Sequence, residues 1–323
     1  MAQVHIEHCG VKDVDSDTDD WPACMNGMGI NAKLQTAIML PKFKDLRFTA
    51  TCKHWVLEAV EVAYLTLSEL DDQARNDMRA KTPQHAAPHS RKGFEMRLRG
   101  GGSPDPHAIV DAKKPGHTML WRGGYKEKEL GLENEDGTLD LTKLATCSGD
   151  FSGGKKLAYF TPQPETADGY AQWAKHKVEA AEVCVTQVAV PESLTKDLET
   201  LVLWSPVTDL PSDDWKQMIW SSRRSGRWPQ PLRKKWGNVG LIQGHIASSI
   251  DKTFIDMRDW NELRANDVMK INVKVPDGTW ERWSAMQWVF YSTAAQEAFE
   301  EACQGQVTFH EMGAFKVPKQ SDD

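Results

Sequence analysis

The chain has 323 residues, of which 40% are hydrophobic and 26% charged, and its formal net charge is -7. These proportions belong to an ordinary globular protein with a sizeable core, and the negative balance argues against nucleic acid as a partner. Cys9, Cys24, Cys52, Cys147, Cys184 and Cys303 form no CxxC pair, which suits scattered thiols in a reducing compartment better than a disulfide framework.

The first nine residues lack both a basic region and an apolar run, so no secretory signal is expected and the location reads as intracellular, that is cytoplasmic. Asp13–Asp20 alternates acids like the start of a calcium loop. Thr18 stands where that loop needs Gly and Cys24 where it needs Glu, so an acidic turn is expected instead. His5, His8 and Cys9, with Cys52 and His54 further on, match no zinc spacing, and no metal is expected.

From Lys53 to Leu70, Val56, Ala59, Val60, Ala63, Leu67 and Leu70 recur every three or four residues, which predicts a helix with one apolar packing face. Glu58, Glu61, Ser68 and Glu69 interrupt it too often for a bilayer crossing, so no membrane partner is expected. Residues 1–81 thus read as a mostly helical N-terminal region. Residues 82–115, rich in Pro and Gly, read as a linker or long loop. Within it His85 and His89 are expected to be solvated, and Arg97–Gly101 copies the tail of ubiquitin-like modifiers by coincidence.

Residues 116–315 read as one α+β domain. Strands are predicted at Thr118–Trp121, Leu157–Thr161, Val183–Val190, Leu201–Trp204, Val239–Ile242, Met269–Val275 and Gln287–Tyr291. Helices are predicted at Thr166–Ala181, Asp213–Arg224 and Thr293–Cys303. The stretch Trp204–Trp288 holds nine of the 13 tryptophans, which predicts a dense aromatic core there. The turn Gly149–Lys155 has the glycine and lysine spacing of a P-loop, but Lys156 replaces the magnesium-binding hydroxyl and a strand-like run follows where a helix is required. The basic run Ser221–Trp228, continued by Arg233–Trp236, is read as a solvated face and helix C-terminal charge cluster, with phosphate binding as the alternative.

Three segments in order carry chemistry. Met119–Gly124 is an apolar strand ending in Arg-Gly, Asp150–Thr161 is a Gly-rich turn feeding an aromatic strand that closes on Thr, and Met286–Phe290 is a late strand opening with a side-chain amide. In this order they resemble the three catalytic blocks of the ADP-ribosyltransferase superfamily. The likeness is greatest to an uncharacterised family with an Asp-Phe-Gly turn, a Tyr-x-Thr strand, an Ala-x-x-Trp-Ala helix, an Ile-Gly-x-Ile-like segment and a Gln-aliphatic-Phe strand. Asp150-Phe151, Tyr159–Thr161, Gln172–Ala174, Ile242–Ile246 and Gln287–Phe290 follow that order, over roughly His117 to Ala302.

The resemblance implies a domain of split mixed and antiparallel sheets with flanking helices. It also implies NAD as a substrate rather than a resident cofactor, with water or a protein side chain accepting ADP-ribose, as in an NAD glycohydrolase or a mono-ADP-ribosyltransferase. Arg122 would clamp NAD, Gly123 would offer backbone to the nicotinamide amide, Tyr159 with Tyr170 or Trp173 would supply aromatic walls, Thr161 would position, and Gln287 would hold the ribose hydroxyls. Active transferases of the superfamily commonly have Glu where this chain has Gln287. Some related NAD-hydrolysing toxins have Gln, which favours hydrolysis over protein modification. Glu281, six residues earlier, is a candidate substitute. The alternative is a module on the same scaffold that binds nucleotide or protein without catalysis.

Overall fold

The structure is a computed structural model that describes residues 21–81, 113–146, 149–249, 251–275 and 278–312. The acidic run Asp13–Asp20, His5, His8, Cys9, the linker residues 82–112 with His85, His89 and Arg97–Gly101, and Cys147 lie outside the described residues.

Among the described residues, the N-terminal region holds four helices, α1 (Trp21–Gly27), α2 (Ala32–Ile38), α3 (Lys44–Arg47) and α4 (Cys52–Lys81). The hydroxyl of Thr51 accepts from the His54 amide at 3.0 Å and so caps the start of α4. The apolar face read between Lys53 and Leu70 packs only along its first half. Trp55, Val56 and Ala59 are buried, whereas Tyr64, Leu67 and Leu70 are exposed.

The remaining chain is mixed α/β with small antiparallel and mixed sheets. One sheet runs β1 (His117–Tyr125), β2 (Val183–Pro191), β8 (Val307–Glu311), all antiparallel. A second runs β3 (Thr200–Val202), β4 (Leu241–His245), β7 (Met286–Phe290), with β3 parallel and β7 antiparallel to β4. Strands β5 (Lys270–Lys274) and β6 (Trp280–Ser284) make a separate antiparallel pair.

The run Leu157–Thr161, expected as a strand, forms isolated bridges instead. Thr161 pairs with Trp121 of β1, and Phe160 pairs with Trp288 of β7. Pro162 follows at once, with no amide to extend the ladder. This short segment therefore lies between the two sheets and ties their facing edges together.

Helix α5 (Lys126–Leu130) follows β1, and α6 (Pro164–Lys177) packs across β1 and β2. Helix α6 opens on Pro164 and ends at Lys177, short of the expected Ala181, with Lys175, His176 and Lys177 in its last turn. The approach to β1 is close: a Cβ on Gly123 would lie 1.8 Å from the Ala167 carbonyl oxygen, so only glycine fits there. Helices α7 (Glu192–Asp197), α8 (Asp213–Ser225), α9 (Gln230–Trp236), α10 (Asp251–Asp256) and α11 (Thr293–Ala302) complete the fold. Ser212 and Ser292 cap α8 and α11.

The N-terminal helices share a core with the sheets: Trp21, Met25, Phe43, Trp55 and Val56 pack with Trp173, Ile246, Met269 and Ala285. A second cluster joins Phe151, Leu203, Trp215, Trp228 and Val289, and a third joins Leu120, Val188, Phe160, Phe290 and Phe299. The expected aromatic core is sparser than the composition implies. Trp215 and Trp228 are buried, but Trp280 and Trp283 are exposed on the β5–β6 pair. Cys24, Cys52, Cys184 and Cys303 are buried. Among the described residues no helix is long and apolar enough to cross a membrane, and no cluster has the ligands to hold a metal.

Candidate functional site

A cavity of about 150 Å³ lies where β1, the bridging segment and β7 meet α6 and the start of α4. An enclosed space of about that volume takes a benzene-sized ring. Arg122, Gly123, Tyr159, Thr161, Tyr170 and Gln287 line it together, with His54, Trp55 and Glu58 contributed by α4.

Arg122 is fixed by its neighbours. Its Nε donates to Glu129 at 2.9 Å, and one terminal nitrogen donates to the Tyr159 carbonyl at 3.1 Å. Glu129 is buried and also accepts from the Thr186 hydroxyl at 3.0 Å. The guanidinium is thus held in one orientation, with Nη2 carrying no hydrogen bond among the described residues.

In the bridging segment, the Tyr159 hydroxyl accepts from the Phe151 amide at 3.2 Å, and burial pushes its ionisation far up. The ring sits so close to Gly149 that a Cβ there would lie 2.1 Å from the hydroxyl oxygen. Tyr159 is therefore a wall whose hydroxyl oxygen is anchored to the turn. Thr161 is buried, its backbone is paired with Trp121, and its hydroxyl accepts from the Gln163 amide at 3.1 Å. The hydroxyl proton is left to donate.

Gln287 is buried, and both hydrogens of its amide are placed. Nε2 donates to Asp150 Oδ2 at 2.7 Å and to the His245 carbonyl at 3.1 Å. Two acceptors around one nitrogen fix which way the amide points, and the atom left over is the acceptor Oε1. Gln287 can therefore accept from a hydroxyl donor in the cavity, the polarity that a ribose requires.

Asp150, at the base of the Gly-rich turn, is the hub of this corner. Its Oδ1 accepts from Arg223 at 2.8 and 2.7 Å, and its Oδ2 accepts from the Ala247 amide at 2.8 Å as well as from Gln287. Arg223 belongs to the basic run read as a solvated face. In the structure its side chain is 7% exposed and holds a buried carboxylate. The nearby Lys155 of the P-loop-like turn lies 3.8 Å over the Tyr291 ring, which itself stacks on Trp228.

Two aromatic candidates separate. Tyr170 lines the cavity and donates to the Thr49 hydroxyl at 3.0 Å, which links α6 to the N-terminal region. Trp173 does not reach the cavity. It is fully buried in the core under the N-terminal helices, 4.6 Å edge to face from Trp55. The two rings share one face of α6 and both meet Trp55, Tyr170 at 6.4 Å between ring centroids and Trp173 at 4.6 Å, with Trp173 set deeper in the core. Glu281 does not line the cavity either; it accepts from the Trp283 indole on exposed β6.

The N-terminal contribution was not anticipated. His54 and Glu58 stand four apart on α4 and face the cavity together. Burial pushes the His54 imidazole down to about 4, against the pull of Glu58. Burial alone would raise the Glu58 carboxyl, but Lys177 at 2.6 Å, with Lys128 and His54, brings it down to about 2. The only sequence signal was the i, i+4 spacing on one helix, which does not say what that face meets.

Compared with protein-family models, with curated proteins and with solved structures, the chain matches none.

Proposed function

We propose that this chain binds NAD and cleaves its nicotinamide–ribose bond, on an ADP-ribosyltransferase-like scaffold, with water as the favoured acceptor of ADP-ribose. One observation carries the reading: Arg122, Thr161 and Gln287, drawn from three segments far apart in the sequence, line one cavity. Its volume suits a nicotinamide ring, and the rest of the dinucleotide extends outside it.

In this reading the Tyr159 and Tyr170 rings wall the nicotinamide, and Arg122 Nη2 and the Thr161 hydroxyl donate to the substrate. Gln287 Oε1 accepts from a ribose hydroxyl. Each donor or acceptor is held in place by a second contact within the fold, which is what electrostatic preorganisation requires. Gln287 carries no charge, so it orients the ribose without offsetting the positive charge that develops on it.

The test is nicotinamide release from NAD by the purified chain, beside Arg122→Lys and Thr161→Val. Lysine preserves a cation for buried Glu129 while removing the fixed guanidinium fork. Release that falls by about a hundredfold in both folded variants supports the reading. Saturable NAD binding without release would assign a non-catalytic nucleotide module, and absence of binding would overturn the reading altogether.

A second reading, a protein-binding module, is favoured by the outer half of α4. Tyr64, Leu67 and Leu70 are all more than half exposed there, where an apolar helix face would normally be covered. Tyr64→Lys with Leu67→Lys should leave NAD handling intact and abolish association with a protein partner, including a protein acceptor of ADP-ribose.

A further inference from the structure

We propose that Glu58, on helix α4 of the N-terminal region, supplies the negative charge of the cleavage site that Gln287 on β7 cannot. The inference rests on the NAD-cleaving reading above and adds to it a residue from outside the three blocks.

Two carboxylates line the cavity, those of Glu58 and Asp150. Asp150 is spent. Its side chain is 3% exposed, Arg223 neutralises one oxygen, and the Ala247 amide and Gln287 occupy the other. Glu58 is differently placed. Lys177 takes Oε2 at 2.6 Å, while Oε1 carries no hydrogen bond among the described residues, and the side chain keeps 22% of its exposure.

Lys177 is itself immobilised, 1% exposed and lying 4.2 Å over Trp55 and 4.3 Å over Trp173. The pair thus pins an ionised carboxylate at the cavity wall on a rigid helix. Its charge stays on Glu58 across the whole neutral range, since Lys177 and its neighbours bring the carboxyl down to about 2.

The bond between ribose C1′ and the nicotinamide nitrogen breaks with its electron pair leaving on nitrogen, which becomes neutral. Positive charge builds on the ribose as an oxocarbenium ion. Water adds through oxygen at C1′ and releases one proton to solvent, giving ADP-ribose and nicotinamide. Glu58 remains ionised throughout and acts by its field on the ribose cation, with no proton transferred to it. Helix α4 is then part of the site rather than an appendage to it.

The experiment uses the full chain and measures kcat and KM for NAD hydrolysis, with urea unfolding as the folding control. Glu58→Gln keeps the shape and an acceptor for Lys177. It is expected to lower kcat on the order of a hundredfold with little change in KM. Lys177→Met gives a second readout. Without that cation the carboxyl titrates higher, although Lys128 and His54 still face it and hold it down in part, so kcat acquires a loss on the acid side as pH falls through that value, and adding Glu58→Gln removes that limb. A parent that cleaves NAD while Glu58→Gln retains its kcat would overturn this inference and leave the cleaving activity standing. So would an acid limb that persists in the double variant. A parent that releases no nicotinamide would instead overturn the activity, and this assignment with it. Should Glu58→Gln fail to fold, the pH profiles of Lys177→Met with and without His54→Leu decide: an acid limb that survives His54→Leu belongs to Glu58, and one that is absent or that His54→Leu removes overturns the inference.

Discussion

Gln287→Glu introduces the acid that the proposed ADP-ribosyltransferase-like reading would lead one to expect at this position, yet the surroundings argue that it will damage this protein. Gln287 Nε2 lies 2.7 Å from Asp150 Oδ2. Two ionised carboxylates at that separation repel by about 6 kcal/mol at an effective dielectric near 20. The cheaper course is to hold the introduced carboxyl protonated, which at pH 7 costs about 3.7 kcal/mol for a group with an unfolded pKa near 4.3. A protonated carboxyl has one hydrogen where the amide has two, so the bond to the His245 carbonyl is lost as well, at about 1 kcal/mol. The sum is a destabilisation of about 4 to 5 kcal/mol at pH 7.

The pH dependence carries a sign. The carboxyl in Gln287→Glu has a folded pKa raised above its unfolded value, so the folded state binds the extra proton and relative stability falls as pH rises between the two. Below an unfolded pKa near 4.3 the protonation cost vanishes, and at pH 5 the whole penalty shrinks to about 2 kcal/mol. Urea unfolding of parent and variant at pH 7 and pH 5, taken as a difference, measures this directly. A variant as stable as the parent at pH 7, or a deficit that does not shrink at pH 5, would refute the placement of the amide nitrogen against Asp150. Activity should not rise in Gln287→Glu at any pH where the new carboxyl is protonated.

Two further outcomes follow from the same geometry. Arg223→Leu leaves the Asp150 carboxylate buried without its cation and should cost about 3 to 5 kcal/mol in urea unfolding, far beyond what loss of a solvated arginine would give. His54 should titrate near pH 4 rather than 6.5 by NMR. Because its folded value lies below its unfolded one, it contributes stability that is present above about pH 6.5 and lost as pH falls toward 4, up to about 3 kcal/mol, and His54→Leu should flatten that slope.

Much of the scaffold was legible because its signals are local. The strands at β1, β2, β4, β5 and β7 announce themselves by short apolar runs, and α6, α8 and α11 by spacing with a Pro or Ser at the start. Helices α1 and α2 escaped because seven residues hold too few turns for a period to emerge, and their stability comes from packing on Trp173 and its neighbours. Strand β6, Trp-Glu-Arg-Trp-Ser, escaped because it lies exposed and has no buried face to impose alternation. Residues of the three segments singled out in the sequence line one cavity, but nothing in those segments announced its electrostatics. Arg223 reads as one of several basic residues on a helix end until the fold brings it to Asp150, 73 residues away. Glu58 reads as an interruption of an apolar face until α4 is laid against α6.

Gln287 and Asp150 are best understood as one unit separated by 137 residues, and a swap of their chemistry tests that. In Asp150→Asn with Gln287→Glu, the introduced amide oxygen still accepts from Arg223 and its NH2 donates to the new carboxylate, so the repulsion that forces that carboxylate to take up a proton is gone. The cost is that the NH2 now faces the Ala247 amide, donor to donor, where a carboxylate oxygen accepted at 2.8 Å. With the bond to the His245 carbonyl also lost, as in the single variant, the two unmade buried bonds cost about 2 to 4 kcal/mol, still less than the penalty of Gln287→Glu alone at pH 7. The double variant should therefore be more stable than Gln287→Glu, with a coupling energy of about 2 kcal/mol in the double-mutant cycle and a weaker dependence on pH. A double variant no more stable than the single one would mean that the two residues do not share a hydrogen bond. If the coupling is found, the Gln287 amide is the partner that an acid in the Gly-rich turn demands, and under the proposed NAD cleavage the negative charge has to come from elsewhere in the cavity wall.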